Sequence, residues 1–142
     1  MTEPVWDFMI SCAIEDIAWG RRIASRLAAE GFRAVLLDEA QHQSSHYAEL
    51  CAQTRRRCKK VLAIMSLTGL ESPEEEFWQT VCSEDPSGSK QQFIPVKLEP
   101  CQPRGILGPI IAIELSGMSQ SEALTFLVRS LKNERSAPRF PG

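Results

Sequence analysis

The sequence predicts an α/β fold: a flavodoxin-like five-stranded parallel sheet, order 2-1-3-4-5, with helices on both faces. Three observations carry this. Five short apolar runs alternate with helical patterns, as right-handed βαβ crossovers require. The third run, Val61 to Met65, is continuously apolar, as a strand covered on both faces should be. The length, 142 residues, suits one domain with a real core. The order 2-1-3-4-5 is the common five-strand solution, and it puts any ligand beyond the carboxyl ends of the strands.

The first strand is Val5 to Ser11. A helix follows over about Glu15 to Glu30, with Trp19, Ile23 and Leu27 one turn apart, and Gly31 ends it as a C-cap glycine does. Arg33 to Leu37 is the second strand, and Asp38 to His46 is a polar loop. Tyr47, Leu50, Cys51, Thr54 and Cys58 share one face of the next helix. After the Val61–Met65 strand, Ser72 is placed to cap a helix, with Pro73 in its first turn and Glu75 completing a capping box. Phe77 with Val81 marks its buried side. Asp85 to Ser89 is a turn cluster. Phe93 to Leu98 is the fourth strand, where Pro95 indicates an edge or a bulge. Pro100 to Pro109 is irregular, Ile110 to Leu115 is the fifth strand, and Leu124, Leu127, Val128 and Leu131 line the last helix. Residues 1–133 read as the domain. Residues 134–142, with Pro138 and Pro141, read as a linker to a missing downstream module.

Composition excludes several classes. Apolar residues are 43% and charged residues 24%, ordinary for a globular chain, and the net charge of -2 argues against nucleic-acid binding. No apolar run approaches the roughly 20 residues of a membrane span, and Met1-Thr2-Glu3-Pro4 does not open a signal peptide, so a cytoplasmic protein is expected. The five cysteines are odd in number and lack Cys-x-x-Cys spacing. They read as free thiols, without a disulfide framework or zinc site. His42 and His46 stand four apart without nearby ligands, so a solvated loop and no metal are expected. The run Arg55-Arg56-Arg57-Cys58-Lys59-Lys60 reads as a helix C-terminus, where cations suit the dipole. No Gly-x-Gly-x-x-Gly, P-loop, nucleophile elbow or His-Glu-x-x-His occurs. A response-regulator receiver would need an Asp at the end of strand three, where Met65-Ser66 stands, and a Lys after strand five, which is also missing.

Several boxes resemble those of TIR domains. Trp6-Asp7-Phe8-Met9-Ile10-Ser11-Cys12 with Glu15-Asp16 is similar to their opening box. Ala18-Trp19 and Leu27 to Phe32 look like the first helix of bacterial members. Leu37-Asp38-Glu39 begins what would be the BB loop, and Val61 to Ser66 resembles their third strand. Glu76-Phe77-Trp78 stands at their Glu-Trp, and Asp85-Pro86-Ser87-Gly88 with Ile94-Pro95-Val96 matches a further stretch. The closing Pro138 to Gly142 is similar to the linker after TIR modules of STAND-type NB-ARC/TPR proteins. Two departures stand out. Gln43-Ser44-Ser45 replaces the usual Pro-Gly of the BB loop, and Ser72 stands where many enzymatic members have Trp.

The resemblance implies an NAD+ nucleosidase that is switched on by self-association and acts as an effector in bacterial immune or cell-suicide signalling. NAD+ would be substrate, and no cofactor is implied. Nicotinamide leaves NAD+ as a neutral molecule, so no acid need protonate it, unlike ordinary glycoside hydrolysis. One carboxylate near the ribose would stabilise the developing positive charge. Glu76 is the residue the resemblance assigns. Read from the residues alone, Glu74, Glu75 and Glu76 form an acidic first helical turn, where carboxylates favour the dipole. Ser11, Cys12, Ala13, Asp38, Ser66 and Ser72 would border the substrate; strand termini and loop caps are their plain structural reading. Trp78 reads as core, with an aromatic surface for the site as the alternative. Glu39, Gln41, His42, Gln43, Ser44, Ser45 and His46 would make the BB-loop contact with a neighbouring TIR domain. Expected partners are other copies, NAD+ and a downstream NTPase or repeat module, with no nucleic acid and no membrane. The alternative function is a non-catalytic TIR–TIR interaction module.

Overall fold

Period-two alternation in the strands divides the core into two halves, one on each face of the sheet. The computed structural model describes residues 5–85 and 91–133. The elements run β1 (Trp6–Ser11), a 3-10 turn (Ile14–Asp16), α1 (Ile17–Ala29), β2 (Ala34–Leu36), α2 (Glu39–His42), α3 (Tyr47–Arg56), β3 (Cys58–Met65), α4 (Leu67–Leu70), α5 (Glu74–Ser83), β4 (Phe93–Lys97), a second 3-10 turn (Gly105–Leu107), β5 (Ile113–Glu114) and α6 (Gln120–Asn133). All strand pairs are parallel, and the sheet order is β2-β1-β3-β4-β5, as the sequence predicts.

Phe8 and Ile10 of β1, with Leu62 and Ile64 of β3, pack against Ile23 and Leu27 of α1 and Leu127 and Leu131 of α6. Met9, Val61, Ala63 and Met65 point the other way, against Cys51 of α3 and Trp78, Val81 and Cys82 of α5. β1 and β3 are thus buried on both faces, which is why their sequences read as near-continuous apolar runs. All five cysteines are free and buried in these layers.

Gly31 ends α1 as expected. It adopts φ +89, a conformation side-chain-bearing residues rarely take. The Phe32 N–H then reaches the Leu27 carbonyl at 2.9 Å and the Gly31 N–H reaches Ala28 at 3.1 Å, the two bonds of a Schellman cap.

Four boundaries differ from the sequence reading. The polar loop contains a helical turn, α2. Asp38 accepts the Gln41 N–H and the Gln41 side chain accepts the Asp38 N–H, both at 2.8 Å, a complete capping box. The helix α3 stops at Arg56, and Cys58 instead opens β3, because pairing with β1 extends down to Trp6↔Cys58. The basic run therefore straddles a helix end and a strand start, and Lys59 pairs with Asp7 at 3.3 Å. In α5, Pro73 is the N-cap and the Ser72–Glu75 capping box does not form. The Ser72 hydroxyl accepts the Glu74 N–H at 3.3 Å and donates to the Gly69 carbonyl at 2.6 Å. Pro95 lies in an interior strand, but β5 pairs only with Val96 and Lys97, so β4 is locally an edge at the proline. β5 itself is only Ile113–Glu114.

The turn at 86–89 and the linker at 134–142 lie outside the described residues. Among the described residues, no helix is long and apolar enough to cross a membrane.

Candidate functional site

A cleft of about 820 Å³ opens at the carboxyl ends of β1 and β3, where the chain's connections diverge to opposite faces of the sheet. Ile14 and Glu15 line it from the turn after β1, and His42 and Gln43 from the end of α2. Tyr47 contributes from α3, Leu67 and Thr68 from α4, and Glu71 to Glu74 from the approach to α5. Among these lining residues there is no lysine or arginine.

The cleft wall holds a buried carboxylate. Glu74 is 4% exposed. It stands on the inner face of α5 with Trp78, Val81 and Cys82, at i, i+4, i+7 and i+8. Such a charge is stable only with partners. The Tyr47 O–H donates to Glu74 Oε1 at 2.9 Å, and His42 Nε2 lies 3.6 Å from the same oxygen. Burial pushes the Tyr47 phenol far up, with Cys51 and Glu74 adding to the effect, so it remains a donor. The rings of His42 and Tyr47 stack with centroids 4.6 Å apart. His42 is therefore buried, which corrects the expectation of a solvated histidine; its companion His46 is exposed.

Glu76 lies elsewhere. It is exposed two residues further along α5, it is not among the cleft-lining residues, and its backbone carbonyl accepts from Thr80 Oγ1 at 3.0 Å. The sequence signal for Glu74 is its spacing, four residues before Trp78, the most deeply buried residue of the helix.

The other candidates fall into three groups: lining the cleft, buried beneath it, and exposed or engaged in local contacts. Ser72, His42 and Gln43 line the cleft. Ser11, Cys12 and Ala13 are buried beneath it. Ser11 Oγ accepts the Trp78 indole N–H at 2.8 Å, so both side chains are core. Burial pushes the Cys12 thiol up to about 12, with Asp16 and Glu74 adding to it, so it is no ready nucleophile. Asp38 is exposed and occupied in capping α2. Glu39 pairs with Arg21; Ser44 Oγ accepts the His46 N–H; Ser45 and His46 are exposed. Gln41 completes the α2 capping box. No group of three or more metal-binding side chains is gathered among the described residues.

Ser66 is a structural cap on the cleft's edge. Its hydroxyl donates to Asp16 Oδ2 at 2.6 Å and accepts the Gly69 N–H at 2.9 Å. Burial pushes the Asp16 carboxyl above its ordinary value; the Ser66 bond opposes this, and Glu99 and Glu15 push it further. A raised carboxyl means that the native state holds more protons than the unfolded state, from about pH 3.9 upward to the raised value. Asp16 therefore costs stability as pH rises through that window. Asp16→Asn keeps the acceptor for Ser66 and removes the charge. Relative to wild type, its urea midpoint should gain as pH rises above the ordinary aspartate range; parallel pH curves for the two proteins would contradict this.

Comparison with known proteins follows the architecture. The family model described as TIR domain matches residues 8–128. No curated protein sequence matches the chain. Among solved structures, a metazoan TIR-STING receptor from C. gigas in complex with 2',3'-cGAMP aligns with TM-score 0.66 at 18% identity, covering 98% of this chain and 42% of that one. A second structure of the metazoan TIR-STING receptor from C. gigas aligns with TM-score 0.67 at 17% identity, covering 96% of this chain and 42% of that one. The TIR domain of the Toll-related receptor TRR-2 from Hydra magnipapillata aligns with TM-score 0.61 at 17% identity, covering 93% of this chain and 100% of that one. The chain thus spans about two-fifths of the TIR-STING receptor chains. At these identities the likeness is one of fold.

Proposed function

This chain belongs to the TIR domain family, and on that footing we propose that it is a self-associating NAD+ nucleosidase that breaks the nicotinamide–ribose bond in the cleft beyond β1 and β3. The observation that carries the reading is the carboxylate of Glu74, buried in the cleft wall and held by the Tyr47 hydroxyl. The cleft volume falls in the usual range for small-molecule sites.

The chemistry needs little from the protein. The pyridinium is already a good leaving group. The transition state concentrates positive charge on the ribose, and a carboxylate fixed in a water-poor wall stabilises that charge without reorganising. Glu74 has the burial and the fixed donor for this role. Glu76 remains the carboxylate that family resemblance favours. Gln43, which also lines the cleft, would meet the sugar hydroxyls.

The charge of the cleft supports self-association. Glu15, Glu71 and Glu74 suit the cationic nicotinamide ring, but no lysine or arginine among the lining residues faces the diphosphate. A second copy would supply that counter-charge, docking against the segment from Glu39 to His46, where Glu39, Ser45 and His46 are exposed. A downstream NTPase or repeat module would then act as the clustering device, and NAD+ loss as the effector output in immune or cell-suicide signalling.

The test is nicotinamide release from NAD+ by dilute protein and by the same protein clustered on beads or a multimeric fusion. Release that requires clustering is expected. No release by the clustered protein would overturn the nucleosidase reading in favour of a TIR–TIR interaction module.

A further inference from the structure

Both ring nitrogens of His42 face atoms that can only accept a hydrogen bond. Nδ1 lies 2.9 Å from the Asp38 carbonyl oxygen and Nε2 lies 3.0 Å from the Cys12 carbonyl oxygen. A neutral imidazole has one N–H, so one of these contacts would set a lone pair against a lone pair. The imidazolium has two N–H groups and satisfies both. It also places a cation 3.6 Å from Glu74 Oε1, with both side chains almost fully buried. The three contacts tie together three separate parts of the cleft: the start of α2, the end of β1 and the start of α5.

We propose that His42 works as a proton-dependent clasp and positioning residue. As an imidazolium it fixes α2 against the end of β1 and holds the Glu74 carboxylate at the cleft wall. Loss of the proton breaks one carbonyl contact, frees the α2 turn and removes the counter-charge of Glu74. The clasp is closed while both ring nitrogens carry a proton and opens when one is lost.

The groups that face His42 leave it this role. On its own element, Glu39 is engaged by Arg21, and the Asp38 carboxylate is engaged by the Gln41 N–H. Glu15, from the turn after β1, and Glu71, before α5, share the cleft with it. From α3, Tyr47 stacks on the ring with Cys51 behind it, and burial pushes both of their acidic groups up, so neither supplies a competing charge. The Cys12 thiol is likewise pushed up by burial. Glu74 is the acid that meets the ring directly.

The functional consequence rests on the nucleosidase reading; the clasp itself does not, and its test needs no substrate. The chain has only two histidines, and the exposed His46, with a side chain 71% accessible, serves as an internal control. Ring-nitrogen NMR of histidine-labelled protein across pH should show both His42 nitrogens protonated at the acidic end. As that proton is lost, amide signals of Ala13, Gln43 and Glu74 should shift, and amide exchange of residues 39–43 should quicken, with the same midpoint. His46 should titrate without these changes, and His42→Gln should abolish them. A His42 that keeps a single N–H throughout, or titrates while those amides stay still, would overturn the clasp. Linked titration without NAD+ cleavage at any pH would uphold the clasp and sink the nucleosidase reading. Cleavage by the clustered protein that declines with the same midpoint, with His42→Gln flattening the profile, would uphold both.

Discussion

If the proposed nucleosidase reading holds, Glu74→Gln should lower nicotinamide release by the clustered protein at least about a hundredfold, the usual scale for losing one preorganised electrostatic contact to a transition state. The substitution is close to isosteric, and the amide oxygen still accepts from the Tyr47 hydroxyl, so the packing of the wall survives. What disappears is the negative charge. An amide cannot balance the positive charge that grows on the ribose as nicotinamide departs, and the low-dielectric wall magnifies that loss. Glu76→Gln exchanges a solvent-exposed group on the outer side of α5. Its effect should stay within about twofold, since exposed charges couple weakly through water.

Trp78→Ala should be the most destabilising single change in the chain, at about 3–5 kcal/mol. The indole is fully buried between α5 and the sheet, in the cluster that holds Met65, Val81 and Cys82. Its N–H donates to Ser11 Oγ at 2.8 Å, so truncation opens a large cavity and also leaves the buried hydroxyl of Ser11 without that donor. Domains of this size are stable by about 5–15 kcal/mol in total, so the variant should sit near the edge of folding. Trp78→Phe keeps most of the apolar volume and should lose markedly less. Denaturant unfolding of the three proteins measures both. A cost below about 1 kcal/mol for Trp78→Ala would contradict the burial described here. Because Trp78 lies one turn after Glu74 on the same face, its loss should also disturb the cleft.

The sheet was legible because burial on both faces writes itself into the residues. Phe8 to Ile10 of β1 and Val61 to Met65 of β3 are continuous apolar runs, and the Gly31 stop on α1 is a local signal that the structure honours. The departures share a cause: each depends on a partner distant in sequence. Cys58 continues the helical pattern of α3, yet pairing with Trp6 draws it into β3. From the sequence, Phe77 and Val81 mark the inner face of α5, because a glutamate at a core position runs against composition. Its partners come from 27 residues upstream in the case of Tyr47, and from His42 beyond it. His42 looked like a loop residue for the same reason. Its ring meets the Cys12 carbonyl 30 residues away, a contact that spacing does not announce. The α2 turn is the exception. Its capping box, Asp38 with Gln41, was written locally and was obscured only by the polar composition around it.

The deciding measurement is nicotinamide release from NAD+ by the clustered wild type, Glu74→Gln and Glu76→Gln at one protein concentration, each checked for wild-type unfolding behaviour. Glu76→Gln should retain wild-type-like release and Glu74→Gln should lose it. Full activity in Glu74→Gln with loss in Glu76→Gln would contradict it, and would move the reacting carboxylate out of the cleft described here.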